Sequence, residues 1–277
     1  MISHRFIRHS RWSGHIRVIV FQISVLIPAA LAQPATTNQD ASHYLFTLSE
    51  AIEKMKSGVF TGAQIDLIAD SASVQVIPDL KKQFAAQQDQ LDKAKLAAAI
   101  VKLGDKDDAY WLFLVDLAKP ALENDAPDFL NHDTGGKDLP GLSPEFVAWT
   151  KSHKLEYSPT LGSLEMDAVY LYPSEIMLLA SAHDQRAVPL LRRALRSNNY
   201  LVKAAAAEGL AALQNKDAIP LIVAECKKAP ADEAKLIARS LVYFDDTEAQ
   251  LAVDIYIQKD QAKLFRDDRA RGKKPLR

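Results

Sequence analysis

Histidine and aspartate side chains that could bind a cation occur together near the middle of this 277-residue sequence. His132, Asp133, Asp138 and His153 carry imidazole and carboxylate groups, which are common metal ligands. Their spacing matches no recognised ligand pattern, and loops are rich in Asp and His for ordinary reasons. We therefore predict no metal and no cofactor for this chain.

Basic side chains gather around one predicted turn between two helices. Arg192, Arg193 and Arg196 precede this turn, and Lys203 follows it. One interpretation is a solvated helix face with Glu208 nearby. The other is an anchor for an acidic partner or a lipid headgroup. The sequence leaves both interpretations open.

Aromatic side chains form a third group, in a stretch rich in proline and glycine. Phe129, Phe146, Trp149 and Tyr157 lie there, where no repeated helix requires them as core residues. Either they fold back over neighbouring helices, or they present an adhesive surface, because Trp and Tyr bury a large area with few rotatable bonds. The candidate partner-binding residues are therefore Trp149, Tyr157, Phe146, Arg193, Arg196 and Lys203.

Sequence signatures of catalysis are missing from the chain. It has no Gly-rich phosphate loop, no Gly-x-Ser-x-Gly motif and no His-Glu-x-x-His motif. We therefore predict no catalytic residue and favour binding over catalysis. The alternative is an enzyme or enzyme accessory that uses a pocket formed by segment 121–168 and the adjacent helices.

The elements that must position these residues are helices, because apolar residues recur with a helical period almost everywhere. The helices come in pairs that repeat along the chain. Pro189 and Pro220 lie in two first helices and are 31 residues apart, and Leu213 and Phe244 close two second helices at the same spacing. A single pair cannot bury its apolar faces alone, so we expect stacked pairs that share one core.

The segment YLVKAAAAEGLAALQNKDAIPLIVAECK, residues 200–227, resembles the HEAT-repeat pattern. Val202 and Lys203 stand at its usual Val-Arg place, and the small Ala205 and Ala206 follow. The resemblance implies an all-α fold: a right-handed α-solenoid of about five antiparallel helix pairs with one long insertion. In HEAT arrays the second helices line the concave side, so a ligand held there would face residues 199–213 and 232–244.

One of the predicted repeats is interrupted. We interpret a first helix near 108–119 and a second helix near 170–182 as partners, separated by a Pro/Gly-rich insertion at 121–168. The HEAT-like helical repeat domain is predicted to cover residues 43–258. It would follow a flexible linker at 33–42 and precede a basic C-terminal tail at 259–277, where the apolar period is lost.

The first 32 residues have the features of a signal peptide. Four arginines precede the mostly apolar run 18–32, and Ala30-Leu31-Ala32 fits a signal peptidase site, so we predict cleavage after Ala32. The alternative is an uncleaved membrane anchor. The chain has a single cysteine, Cys226, which lies on an apolar helix stripe and is predicted to be a small buried residue.

These observations predict an exported, non-catalytic scaffold that binds a protein, in the periplasm or outside the cell. Removal of residues 1–32 takes away four arginines and no acidic residue, so the mature chain is more acidic than the formal net charge of −1 of the whole sequence. An acidic chain is a poor binder of nucleic acid, so we exclude that partner class. A membrane partner is expected only if the signal segment stays uncleaved.

Overall fold

The computed structural model describes residues 46–124, 144–152 and 171–271. Every regular element in these ranges is helical, which confirms the all-α fold class. The described ranges contain thirteen α-helices: α1 (Leu48–Lys56), α2 (Gly62–Ser71), α3 (Ile77–Ala86), α4 (Gln90–Lys102), α5 (Asp108–Glu123), α6 (Pro144–Ser152), α7 (Tyr172–Ser181), α8 (Ala187–Ala194), α9 (Tyr200–Ala212), α10 (Ile219–Lys228), α11 (Ala231–Ala238), α12 (Thr247–Tyr256) and α13 (Lys259–Ala270). Three short 3₁₀ segments accompany them, at Val74–Val76, Lys216–Ala218 and Arg239–Tyr243.

Local sequence signals explain where many of these helices begin. Thr47 and Thr61 precede α1 and α2, and each forms a capping box with a Glu or Gln three residues later. Proline occupies the first turn of α3, α7 and α10, where its missing N–H would have no partner within the helix. Asn199 is the N-cap of α9: its side-chain oxygen accepts hydrogen bonds from the backbone amides of Leu201 and Val202.

The helices pack as pairs along the chain, consistent with an α-solenoid. The pairs α1/α2, α3/α4, α8/α9 and α10/α11 are each in contact, and α5 pairs with α7. The second helices α2, α4, α7, α9 and α11 also contact one another in that order, so they form a continuous inner layer. This packing between neighbours allows each pair to bury the apolar face that it cannot bury alone.

The core follows this layering. One apolar cluster joins α1 to α4, and a larger one runs from α4 through α13. Helix α4 belongs to both, since Leu96 and Ile100 lie in the first cluster and Ala94 and Ala97 in the second. A helix between neighbours on both sides must be apolar on both sides, which explains why α4 and α9 are rich in alanine.

An ion pair between an exposed arginine and a buried glutamate joins equivalent places in neighbouring repeats. Glu208 of α9 accepts hydrogen bonds from the guanidinium of Arg239, which lies 31 residues later at the end of α11. Glu208 is only 6% exposed, so the hydrogen bonds from Arg239 serve a carboxylate that has little contact with water. The two residues of this ion pair are therefore separated by the same 31 positions as equivalent apolar residues of neighbouring repeats.

Cys226 is buried, as predicted from its place on the apolar stripe of α10. The side chain is 1% exposed, and its thiol donates to the carbonyl of Ala234 over 3.6 Å. Burial raises the pKa of the thiol to about 12, because a thiolate would lose its hydration there. The thiol is therefore inert in the folded chain.

The C-terminal region differs from our expectation of a basic tail from residue 259. Residues 259–270 form α13, which buries Ala262 and packs against the preceding helix. Arg269 donates to the carbonyls of Val242 and Phe244, and Arg266 donates to the side-chain oxygen of Gln250. Hydrogen bonds from two arginines therefore anchor the helix where apolar side chains are scarce, and the apolar period does not report such contacts.

None of the described helices combines the length and apolar character required to cross a bilayer.

Candidate functional site

A cleft of about 490 Å³ opens between the C-terminal ends of α5 and α8. Its walls combine small apolar side chains, three polar side chains and three arginines. They comprise Ala121, Leu122, Asn124, Pro189, Arg192, Arg193, Ala194, Arg196, Ser197 and Asn198. The described lining contains three arginines and no carboxylate.

The sequence of α8 explains why the arginines face outward together. Leu191 and Ala194 are buried in the core, and this leaves Arg192 and Arg193 on the outer side of the last turn. Arg196 follows just beyond the end of the helix. Cationic side chains are favoured there, because the C-terminal end of a helix carries partial negative charge.

Arg192 differs from the other two arginines of the cleft, because it is already engaged. Its Nη2 donates to Oδ1 of Asn215 over 2.9 Å and lies 3.8 Å from Oδ2 of Asp217. Its Nε is buried and has no hydrogen-bond acceptor among the described residues. The guanidinium is therefore held in place, and its buried Nε–H donates to no described residue.

Arg193 and Arg196 are exposed, and neither forms a hydrogen bond or ion pair within the described part of the chain. The remaining arginines there behave differently. Besides Arg192, each of them has a carboxylate, amide or carbonyl partner: Arg186, Arg239, Arg266, Arg269 and Arg271. Within residues 46–124, 144–152 and 171–271, the two unpaired guanidinium groups thus share one cleft.

Lys203 does not line this cleft. Its Nζ lies 3.2 Å from Oε2 of Glu225, with both side chains mostly buried. This ion pair joins α9 to α10. The structure therefore brings Arg193 and Arg196 together, while Lys203 is engaged in a contact between neighbouring helix pairs.

The aromatic candidates are described in part. Phe146 and Trp149 lie on α6, with ring centroids 5.9 Å apart in a stacked arrangement. Phe146 is 3% exposed, so a partner has no access to its ring without a movement of α6. Trp149 is half-buried. Tyr157 and Phe129 lie outside the described residues, as do the possible cation ligands His132, Asp133, Asp138 and His153.

Residues 176–242 match the family described as HEAT repeats. This match supports a HEAT-repeat protein. The matched segment spans α7 to the 3₁₀ segment after α11, so it includes Arg193, Arg196 and Lys203. No match is found among curated proteins or among solved structures.

Glu225 lies between two consecutive HEAT-like helix pairs, and its environment sets its charge. Burial alone raises its pKa, but the hydrogen bonds and charges of Lys228 and Lys203 outweigh this effect, so the pKa is lower than usual. Because the pKa of Glu225 is lower in the folded chain than in the unfolded chain, its carboxylate stabilises the folded chain at pH values above the ordinary carboxyl pKa. This contribution is lost as the pH falls through the folded pKa.

We expect Glu225→Gln to lower the free energy of unfolding by about 1 kcal/mol at pH 7, since it removes charge-assisted hydrogen bonds of a buried carboxylate. The difference from wild type should begin to shrink below about pH 4.5, the ordinary pKa of a glutamate in the unfolded chain, and disappear as the pH falls through the lower pKa of the folded carboxyl. Urea unfolding at pH 7 and pH 3 measures both values. The exposed Glu123→Gln is the matched control, with an expected change within about 0.5 kcal/mol at pH 7; a Glu225→Gln effect independent of pH would contradict this account.

The side chains that could bind a metal ion are dispersed over the described ranges. No group of three or more His, Cys, Asp or Glu side chains there is arranged to hold a metal ion.

Arg192 was named in the basic cluster but not among the partner-binding candidates, and Asn124 and Asn198 were missed as cleft residues. Asn124 follows the last residue of α5, 74 positions before Asn198, and only the packing of α5 on α8 brings the two together. The basic cluster was a visible signal. The apolar wall of the cleft on α5 could not be predicted, because Ala121 and Leu122 look like ordinary residues of an amphipathic helix in the sequence.

Proposed function

We propose that this chain is a protein-binding scaffold built of HEAT-like repeats and exported from the cytoplasm. The observation that carries the proposal is the stack of helix pairs, of which residues 176–242 match HEAT repeats. Stacked pairs of this kind offer an extended surface to a partner without assembling a catalytic centre. Export rests on the basic and apolar pattern of residues 1–32, with cleavage after Ala32.

The proposed architecture is a right-handed superhelix of about five helix pairs. Its inner layer of second helices forms the concave side, where exposed positions of α9 and α11 face the partner. Trp149 and Tyr157 of the insertion extend the contact region toward Arg193 and Arg196. The proposed role of Phe146 is to hold α6, because its ring is buried in the free chain.

Replacement of residues 124–166 by a short Gly-Ser bridge tests the contribution of the insertion to binding. We expect partner capture from an envelope extract to be lost, while the melting temperature stays within a few degrees of wild type. The bait is the purified chain without residues 1–32, immobilised through a C-terminal tag. A loss of stability of several kcal/mol, as expected when core is exposed, would instead assign the insertion a structural role.

A further inference from the structure

We propose that the arginine-lined cleft binds an acidic peptide segment of the protein partner, an inference that rests on the proposed scaffold function. Arg193 and Arg196 each take one carboxylate of that segment. The peptide backbone lies along the small apolar residues of α5 and α8. The cleft is thereby assigned as the part of the scaffold that selects partners by charge.

The unpaired state of the two guanidinium groups is the main reason. A guanidinium presents a planar fork of N–H donors that matches a carboxylate in a bidentate arrangement. Elsewhere in the described chain the guanidinium groups of the arginines already form ion pairs or hydrogen bonds with other residues of the chain. The guanidinium groups of Arg193 and Arg196 have no such partner among the described residues. Both line the same cleft, whose described lining contains no carboxylate.

The rest of the lining suits a short stretch of peptide. Ala121, Leu122 and Pro189 form an apolar wall against which a short stretch of peptide can pack. The volume of about 490 Å³ is within the range of ligand-binding clefts. These features favour a side-chain-bearing segment over the flat surface of a folded partner.

Helix ends at the cleft argue against a free phosphate ion as the occupant. Both α5 and α8 end here, so their negative dipole ends oppose any anion near the cleft, and they oppose a phosphate dianion more strongly than a singly charged carboxylate. Helix α9 begins beside the cleft, but its first free amides, those of Leu201 and Val202, already donate to Asn199. A phosphate site built from amides at a helix N-terminus is therefore not available, and the positive charge comes from side chains.

The test uses the purified chain without residues 1–32 and a fluorescein-labelled peptide of alternating glutamate and alanine. The same peptide with glutamine in place of glutamate is the neutral probe. Fluorescence anisotropy at physiological salt should show binding of the glutamate peptide and little binding of the glutamine peptide. We expect the double variant Arg193→Gln/Arg196→Gln to bind the glutamate peptide about tenfold more weakly, because it loses two exposed ion pairs with the peptide.

Two further variants separate the cleft from general electrostatics. Lys227→Gln/Lys263→Gln removes the same charge at exposed positions outside the cleft, and its affinity should stay within about twofold of wild type. Arg193→Lys/Arg196→Lys keeps the charge but removes the fork, so its affinity should fall between wild type and the Gln variant. All four sites are exposed, and circular dichroism should show unchanged melting for every variant.

Three results would overturn the proposal. Equal binding of the glutamate and glutamine peptides shows that charge does not select the ligand. Equal affinity of the Gln double variant and the lysine control places the peptide elsewhere. Displacement of the glutamate peptide by equimolar inorganic phosphate or phosphatidylglycerol vesicles assigns the cleft to a free anion or a lipid headgroup instead.

Failure of this inference is distinguishable from failure of the scaffold function. If the glutamate peptide does not bind while the chain still captures a partner from an extract, the cleft assignment falls and the scaffold stands. If neither binds, both fall.

Discussion

Phe244→Ala should lower the free energy of unfolding by about 3–5 kcal/mol, because the cavity left by a buried phenyl ring cannot collapse fully. Phe244 is fully buried and is among the largest side chains with no exposed surface in the described chain. It closes the 3₁₀ segment after α11 and joins the core shared with α12 and α13. Loss of the ring therefore loosens the contact of the last helices with the stack.

Urea unfolding followed by circular dichroism at 222 nm measures this effect. Phe265→Ala is the matched control, since it deletes the same atoms from a partly buried ring of α13 that packs against the same core. We expect the Phe265 variant to lose less than half as much stability as the Phe244 variant. Equal losses, or a Phe244 loss below about 1 kcal/mol, would contradict the placement of this ring in the core.

Gly209→Leu should destabilise the chain by about 3 kcal/mol or more, because side-chain atoms must enter a packed helix contact. A Cβ at Gly209 would lie 2.7 Å from the Cβ of Ala180 and 3.1 Å from both terminal methyl carbons of Leu191. Ala180 belongs to α7 and Leu191 to α8, so Gly209 lies where α9 packs tightly against both helices. Even Gly209→Ala should lose stability on balance, although alanine gains about 1 kcal/mol of helix propensity over glycine.

Gly62→Ala is the control for this prediction. Its new Cβ would meet only the flexible end of the Lys95 side chain, which can move aside. We expect Gly62→Ala to be neutral or slightly stabilising, while Gly209→Ala is destabilised in the same urea experiment. Neutral behaviour of Gly209→Leu would show that α9 does not pack closely on α7.

The helical class and the pairing of helices were predictable because they depend on local apolar periodicity. The 31-residue spacing of Leu213 and Phe244 locates two second helices, and the structure buries both residues. The apolar stripe of α10 likewise predicted the burial of Cys226. Repetition strengthens these predictions, since the same pattern appears at matched offsets.

The contacts that could not be predicted all join residues from different helices. Lys203 was visible as a basic residue, but its partner Glu225 lies on α10 and depends on how neighbouring pairs stack. Helix α13 was missed because the arginine contacts to the carbonyls of Val242 and Phe244 leave no trace in an apolar pattern. The cleft itself requires α5 and α8 to meet, which is a property of the packed repeats.

Site-specific photo-crosslinking in intact cells tests the central claim most directly, namely that this HEAT-like scaffold binds a protein at the arginine-lined cleft. A photoreactive amino acid at Asn198, an exposed residue of the cleft, reports contacts made there. The same amino acid at Lys227, exposed on α10 away from the cleft lining, is the control. We predict a discrete adduct with an acidic protein from position 198 and none from position 227. Adducts from position 227 alone, or none from either position, would contradict the account.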